Sequence, residues 1–324
     1  MNWKIKGIAL LWILVCSCNF NKESAAPDVE TEVTTEAPAG YHSTEHLIEV
    51  EALQGLLGGS SIKIIDFRKM EAYRKGHIVG ALPMWRNQIE DTSFAYGGMM
   101  ASKEQMEALL SGLGVQNSDT IVVYDDRGSC DAARLWWILA NYGFNSVKIV
   151  NGGLDAWKEI EGVMNADATK IIPSNFTLPR QSSYRYLSTK EEMLRWVAEK
   201  NSPVIIDTRT EDEFSGKRQK KGAQAGGRIP GSIWIDWEEC VDFNASKKFK
   251  SFEALVEIYN DLEVNDEQGI IAYCHSGVRS AHTTFVLTQL LGYKNVRNYD
   301  GSWTEWSMLE GYPIEKDSTT TILN

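Results

Sequence analysis

The chain has 324 residues, enough for two domains of ordinary size, and its 43% hydrophobic and 24% charged content is that of a soluble globular protein. A formal charge of -11 argues against a nucleic-acid-binding surface, which needs clustered Lys and Arg to neutralise phosphates.

The N-terminus reads MNWKIKGIALLWILVCSCNF. Lys4 and Lys6 precede an apolar run over residues 8–15, too short to span a bilayer but of the length of a signal-peptide core. The run ends in Val15-Cys16-Ser17-Cys18, which resembles a bacterial lipoprotein signal. Residues 1–17 are then expected to be removed and Cys18 to be lipidated, anchoring an exported protein to the cell envelope, on its periplasmic face. Residues 18–40 are polar and acidic without an apolar period and read as a flexible tether. Loss of Cys16 and acylation of Cys18 leave Cys130, Cys240 and Cys274 from five cysteines, an odd remainder that flags a free thiol. They form no Cys-x-x-Cys pair, so neither a zinc site nor a thioredoxin-like motif is expected.

From residue 41 short apolar strands alternate with helical patterns. In the first half these are a strand at Ile62–Asp66, a helix over 103–111, a strand over 121–124, a helix over 131–142 and a strand at Val147–Val150. Such alternation predicts an α/β fold whose parallel sheet is covered by helices on both faces, with its ligand site outside the carboxyl ends of the strands. Residues 166–183, with Pro173 and Pro179 and little periodicity, read as a linker.

The second half repeats the first. Tyr273-Cys274-His275-Ser276-Gly277 aligns with Tyr124-Asp125-Asp126-Arg127-Gly128, and the register holds without a gap through Gly292 against Gly143, Gly301 against Gly152 and Trp306 against Trp157. Upstream, Asp207-Thr208-Arg209 matches Asp66-Phe67-Arg68, and Gly227-Arg228-Ile229-Pro230-Gly231-Ser232 matches Gly76-His77-Ile78-Val79-Gly80-Ala81. In the second copy an insertion over 217–226 separates these motifs. It carries the one basic cluster, Lys217, Arg218, Lys220 and Lys221, which reads as a solvated loop.

The stretch 269–291 carries the chemistry. Ile270, Ile271, Ala272 and Tyr273 read as a buried strand and a helical period starts near Ser280, leaving the loop Cys274-His275-Ser276-Gly277-Val278-Arg279 between them. A strand that feeds a helix through such a turn aims backbone N–H groups and the positive end of the helix dipole at one point, and Cys274 stands there. A thiol with an ordinary pKa of about 8.5 is commonly pulled to roughly 7 or lower at such a position. His275 and Arg279 are the candidate cations. The alternative is a small buried apolar cysteine at a strand end.

These ordered motifs, together with Tyr299-Asp300-Gly301-Ser302-Trp303-x-Glu305-Trp306, resemble the tandem-domain sulfurtransferases of the rhodanese family from about residue 41 to 314. The resemblance implies two rhodanese-like domains, residues 41–165 and 184–324. It implies that the Cys274 thiolate takes a sulfur from thiosulfate or 3-mercaptopyruvate as a persulfide and passes it to a thiol or cyanide, with no metal or organic cofactor. The substrate is then expected among His275, Ser276, Gly277, Val278, Arg279 and Ser280, whose N–H groups would hold negative charge on sulfur. Asp125 at the nucleophile position cannot form a persulfide, so the first copy reads as inactive. Two copies in one chain satisfy each other's interface, which implies a monomer.

Arg279 is expected to point inward toward an anionic donor rather than outward into an ion pair. His275 is either a cation beside the thiolate or a surface residue, and Ser276 either donates to substrate or caps the helix. Asp207 and Arg209 read as a local ion pair, Trp303 and Trp306 as packing, His77 as a turn residue, and Cys130 and Cys240 as structural thiols. Glu213 stands where thiosulfate enzymes of the family often place a second arginine, whereas basic His275 and Arg279 lean toward thiosulfate. Cysteine phosphatases and arsenate reductases are the enzymatic alternative, but their loop has five residues between Cys and Arg, and 275–278 supplies four, a ring that suits one sulfur atom. A non-catalytic sulfur carrier is the other alternative.

Overall fold

The computed structural model describes residues 40–199, 203–262, 264, 268–317 and 321–322. The signal at 1–17, the lipidation site Cys18 and the tether up to residue 39 lie outside the described residues. Among the described residues no helix is long and apolar enough to cross a membrane.

Two five-stranded sheets carry the fold. In the first, Leu47–Ile48, Val147–Val150, Thr120–Tyr124, Ile62–Asp66 and Leu82–Pro83 lie side by side in that order. In the second, Leu187–Ser188, Val296–Tyr299, Ile270–Tyr273, Val204–Asp207 and Ile233–Trp234 repeat it. Every pairing within these two sheets is parallel. The central strand Ile270-Ile271-Ala272-Tyr273 is buried along its whole length, so it reads as an unbroken apolar run rather than as an alternating one.

The duplication reaches individual hydrogen bonds. Arg68 grips the Asp66 carboxylate and donates to the Gly76 carbonyl at 2.7 Å, while Tyr124 donates to Asp66 at 2.6 Å and accepts from the Ile78 amide at 3.1 Å. Arg209, Asp207, Gly227, Tyr273 and Ile229 reproduce the set at 2.7, 2.7 and 3.1 Å. Each network ties the end of a central strand to the turn that follows it, which is the local ion-pair role expected for Asp207 and Arg209.

The two copies meet through the helices that follow their central strands, Cys130–Asn141 and Val278–Phe285. Every residue of the first is buried, and Trp136 meets Phe285 edge-on at 4.9 Å. One apolar core therefore runs through both copies. The 166–183 segment is not a loose connection: Phe176 and Leu178 are buried, the Ser174 amide donates to the Ser111 carbonyl, and Leu178 donates to Glu107.

The active-loop helix starts at Val278, two residues before the periodicity suggested. Gly277, at φ 74°, turns the chain into it at once, and its last turn widens into a π-turn over Val286–Leu290.

Candidate active site

Tyr273 ends the central strand and the chain turns at Cys274, leaving its thiol at the carboxyl edge of the sheet with only 1% of its surface exposed. Burial pushes this thiol up. Against it act the Arg279 guanidinium, the hydroxyl and amide of Ser280 and the amide of Ser276, and the balance leaves the pKa below that of an ordinary cysteine. The sulfur is thus biased toward thiolate inside a dry site.

The first copy displays what this cradle is built to hold. Asp125, in the register of Cys274, accepts four backbone N–H bonds: from Arg127 and Ser129 at 2.8 and 2.9 Å on one oxygen, and from Asp131 and Ala132 at 2.7 and 2.9 Å on the other. In the repeat register Arg127 and Asp131 are the counterparts of Ser276 and Ser280, the two residues whose amides face Cys274. One ring is filled by its own carboxylate and the other by a sulfur. Both rings turn on a left-handed glycine, Gly128 at φ 64° and Gly277 at φ 74°. At Gly277 a Cβ would come within 2.7 Å of the Asp300 carbonyl, so a side chain there is excluded by strain and by space.

Ser302 sits beneath the active ring. Its hydroxyl accepts from the amides of Cys274 at 3.2 Å and Gly277 at 3.0 Å and donates to the Tyr299 carbonyl at 2.7 Å. It is a non-glycine residue at φ 50°, a strained conformation retained where the contacts over-determine it. Its counterpart in the first copy is Gly153.

The first copy also shapes the site. Arg134 donates to the Gly277 carbonyl at 3.2 Å and to Asp300 at 2.6 Å, and the Met100 amide donates to the other Asp300 oxygen at 2.9 Å. Gly98 packs so closely on Ser276 that a Cβ there would lie 2.6 Å from the serine Cβ. Arg86, paired with Asp131, comes within electrostatic reach of Cys274 from the same side.

The family model of the rhodanese-like domain matches this chain twice, over residues 49–160 and 189–309. The chain belongs to the rhodanese family. A thiosulfate sulfurtransferase of Corynebacterium glutamicum is 32% identical over 295 residues, covering 86% of this chain and 93% of that relative. A sulfur carrier protein, TtuD, of Thermus thermophilus is 31% identical over 288 residues, 86% of this chain and 99% of its own. An anaerobic ergothioneine biosynthesis enzyme of Chlorobium limicola superposes with a TM-score of 0.75 at 21% identity, over 86% of this chain and 72% of that one, a likeness of fold alone.

This tandem rhodanese-family sulfurtransferase departs from the sequence reading at its charged groups. Arg279 is within electrostatic reach of the sulfur, and its guanidinium is held by Glu213 through two bonds of 2.8 and 2.9 Å, so the ion pair that the sequence reading set aside does form. His275 is neither a cation nor a surface residue. It is 7% exposed, its Nε2 lies 2.9 Å from the Lys221 carbonyl, and burial first, then Lys220, push its pKa down to about 4. Ser276 contributes its amide and is not the helix cap; Gly277 is. Val278 packs with Cys130, Trp237 and Val241. In the 217–226 insertion Lys217, Lys220 and Lys221 are exposed, as a solvated cluster would be, but the backbone is tied to the site, since Trp303 donates to the Ala225 carbonyl and His275 to that of Lys221.

His77 is fully buried, stacked on Tyr73 at 3.8 Å with Nδ1 on the Tyr73 carbonyl, and it lies not in a turn but in a two-residue strand, His77–Ile78, paired antiparallel with Met164–Asn165. Cys130 and Cys240 are completely buried, Cys240 within 3.1 Å of the Tyr259 hydroxyl. Sequence reasoning passed over Arg86 and Arg134, read Lys220 only as part of a solvated loop, and named Ser302 only as a motif residue. Only Ser302 left a signal, a serine where the duplicated register has Gly153.

Proposed function

We propose that this protein moves a sulfane sulfur from thiosulfate to a thiol or cyanide through a persulfide on Cys274. The observation that carries this reading is the shared register of the two rings: the first encloses a carboxylate in four amides, and the second presents the corresponding amides of Ser276 and Ser280 to a thiol biased toward thiolate.

In the first step the Cys274 thiolate attacks the outer sulfur of thiosulfate. A sulfur–sulfur bond forms to Sγ, the bond within thiosulfate breaks, and its electron pair leaves with sulfite. In the second step the acceptor attacks the outer persulfide sulfur, and the pair returns to Sγ as thiolate. The terminal sulfur is anionic before and after transfer, so a ring of fixed N–H dipoles serves both half-reactions without rearranging. Lys220, which is in electrostatic reach of the sulfur and in no ion pair among the described residues, favours thiosulfate over the less charged 3-mercaptopyruvate.

Purified protein given thiosulfate and cyanide is expected to release thiocyanate and sulfite. With thiosulfate alone it should gain the mass of one sulfur atom, lost in Cys274→Ser. A Cys274→Ser protein that still turns over would overturn the reading. Lipidation at Cys18 and a place at the cell envelope are further proposals resting on the N-terminal sequence; a Cys18→Ser protein recovered with the membrane fraction to the same extent as wild type would sink them.

A further inference from the structure

The arginines around Cys274 are each paired with a carboxylate: Arg279 with Glu213, Arg86 with Asp131, and Arg134 with Asp300. A guanidinium that shares its charge with a carboxylate pulls less strongly on an incoming anion than an unpaired cation does. Yet a thiolate has to be approached by a donor that is itself anionic. Lys220 forms no ion pair among the described residues and lies within electrostatic reach of Cys274, Arg279, Glu213 and Arg86.

Lys220 belongs to the 217–226 insertion, and its backbone is tied to the site on three sides. His275, next to the nucleophile, bonds the Lys221 carbonyl at 2.9 Å; Trp303 donates to the Ala225 carbonyl at 2.9 Å; the Gln224 amide donates to Ser307 at 3.1 Å. A neutral His275 with its proton on Nε2 serves as the donor in the first of these. Gly222 at φ 97° turns the segment, its Cβ position 3.7 Å from His275 Nε2. The first copy, which encloses its own carboxylate, has no such segment: the arginine and its carbonyl partner in the turn are 8 residues apart there and 18 apart in the second.

We propose that Lys220 is the residue that binds the anionic group of the sulfur donor, positioned beside Cys274 by the bond from His275 to the Lys221 backbone. This makes the insertion a donor-specificity element and leaves Arg279 to hold the thiolate. It rests on the sulfur-transfer reading above, and the test separates the two.

The full-length protein and its Lys220→Gln and Lys220→Arg variants are assayed with thiosulfate and cyanide. Loss of one charge-assisted contact is expected to raise KM for thiosulfate about tenfold in Lys220→Gln, with kcat and the cyanide KM little changed, and Lys220→Arg is expected to recover most of the loss. Added salt should raise the thiosulfate KM more steeply in the wild type than in Lys220→Gln. An unchanged thiosulfate KM in Lys220→Gln, or a fall in kcat alone, overturns the role of Lys220 while leaving sulfur transfer intact. Absence of both thiocyanate and persulfide from the wild type overturns the underlying reading instead.

Discussion

Arg279 and Glu213 form a two-pronged ion pair, and the same guanidinium is the strongest influence holding the Cys274 sulfur as an anion. Glu213 therefore tempers the charge that Arg279 lends to the thiolate. Arg279→Ala is expected to move the pH profile of Cys274 alkylation to higher pH, and Glu213→Gln to lower pH. Both should destabilise, because each leaves a buried charge unpaired, at a cost of about 3–5 kcal/mol. Iodoacetamide rates against pH report the first effect and urea melts the second; shifts of the same sign in both variants would refute the account.

The three described cysteines should differ sharply in reactivity. Burial pushes Cys130 well up and Cys240 to about 12, whereas Cys274 is drawn down. Mass mapping after brief alkylation near neutral pH is expected to find label on Cys274 and none on the other two. Cys130→Ser and Cys240→Ser should keep turnover.

Ser302 holds two amides of the active loop from a strained backbone. Ser302→Ala keeps the strain and leaves both buried donors unpaired, at about 1–3 kcal/mol each. Ser302→Gly loses the same acceptor but relieves φ, as Gly153 does in the first copy. The glycine variant is expected to be the more stable of the two, and both should lose kcat through a slackened ring. Equal melting temperatures would show that the strain is not felt.

The buried histidines should cost stability in acid, while Asp125 and Asp236, each pushed up to about 6 by burial, should offset part of that loss as pH falls below 6. Burial is the leading cause of the low pKa of both histidines, His275 at about 4 and His282 at about 3, against 6.5 for the free group. Between these values the unfolded chain binds protons that the folded chain refuses. Their stabilisation is therefore complete above pH 6.5 and drains away as pH falls toward 4. Their own contribution to the slope approaches one proton per histidine, about 2.7 kcal/mol per pH unit for the pair. Urea midpoints across that range check it: His275→Gln is expected to lower the slope by one proton, about 1.4 kcal/mol per pH unit, and an unchanged slope would refute the assignment.

The duplicated α/β fold, the place of Cys274 at the end of a central strand and the carboxylate of Asp125 in the same register were legible along the chain. Strand and helix periods are local, and a repeat written twice in one register, Tyr124-Asp125 and Tyr273-Cys274, reports its own geometry. The loop's amides followed as well, because the chain direction alone decides where a helix presents its first N–H groups. The charges did not follow. Glu213 lies 66 residues from the Arg279 it neutralises, and Arg134 lies 143 residues from the Gly277 carbonyl it binds. Residue order determined which sulfur stands at the end of the central strand, whereas the folded chain alone decided which charges surround it, because ion pairing and desolvation arise between segments that only packing brings together.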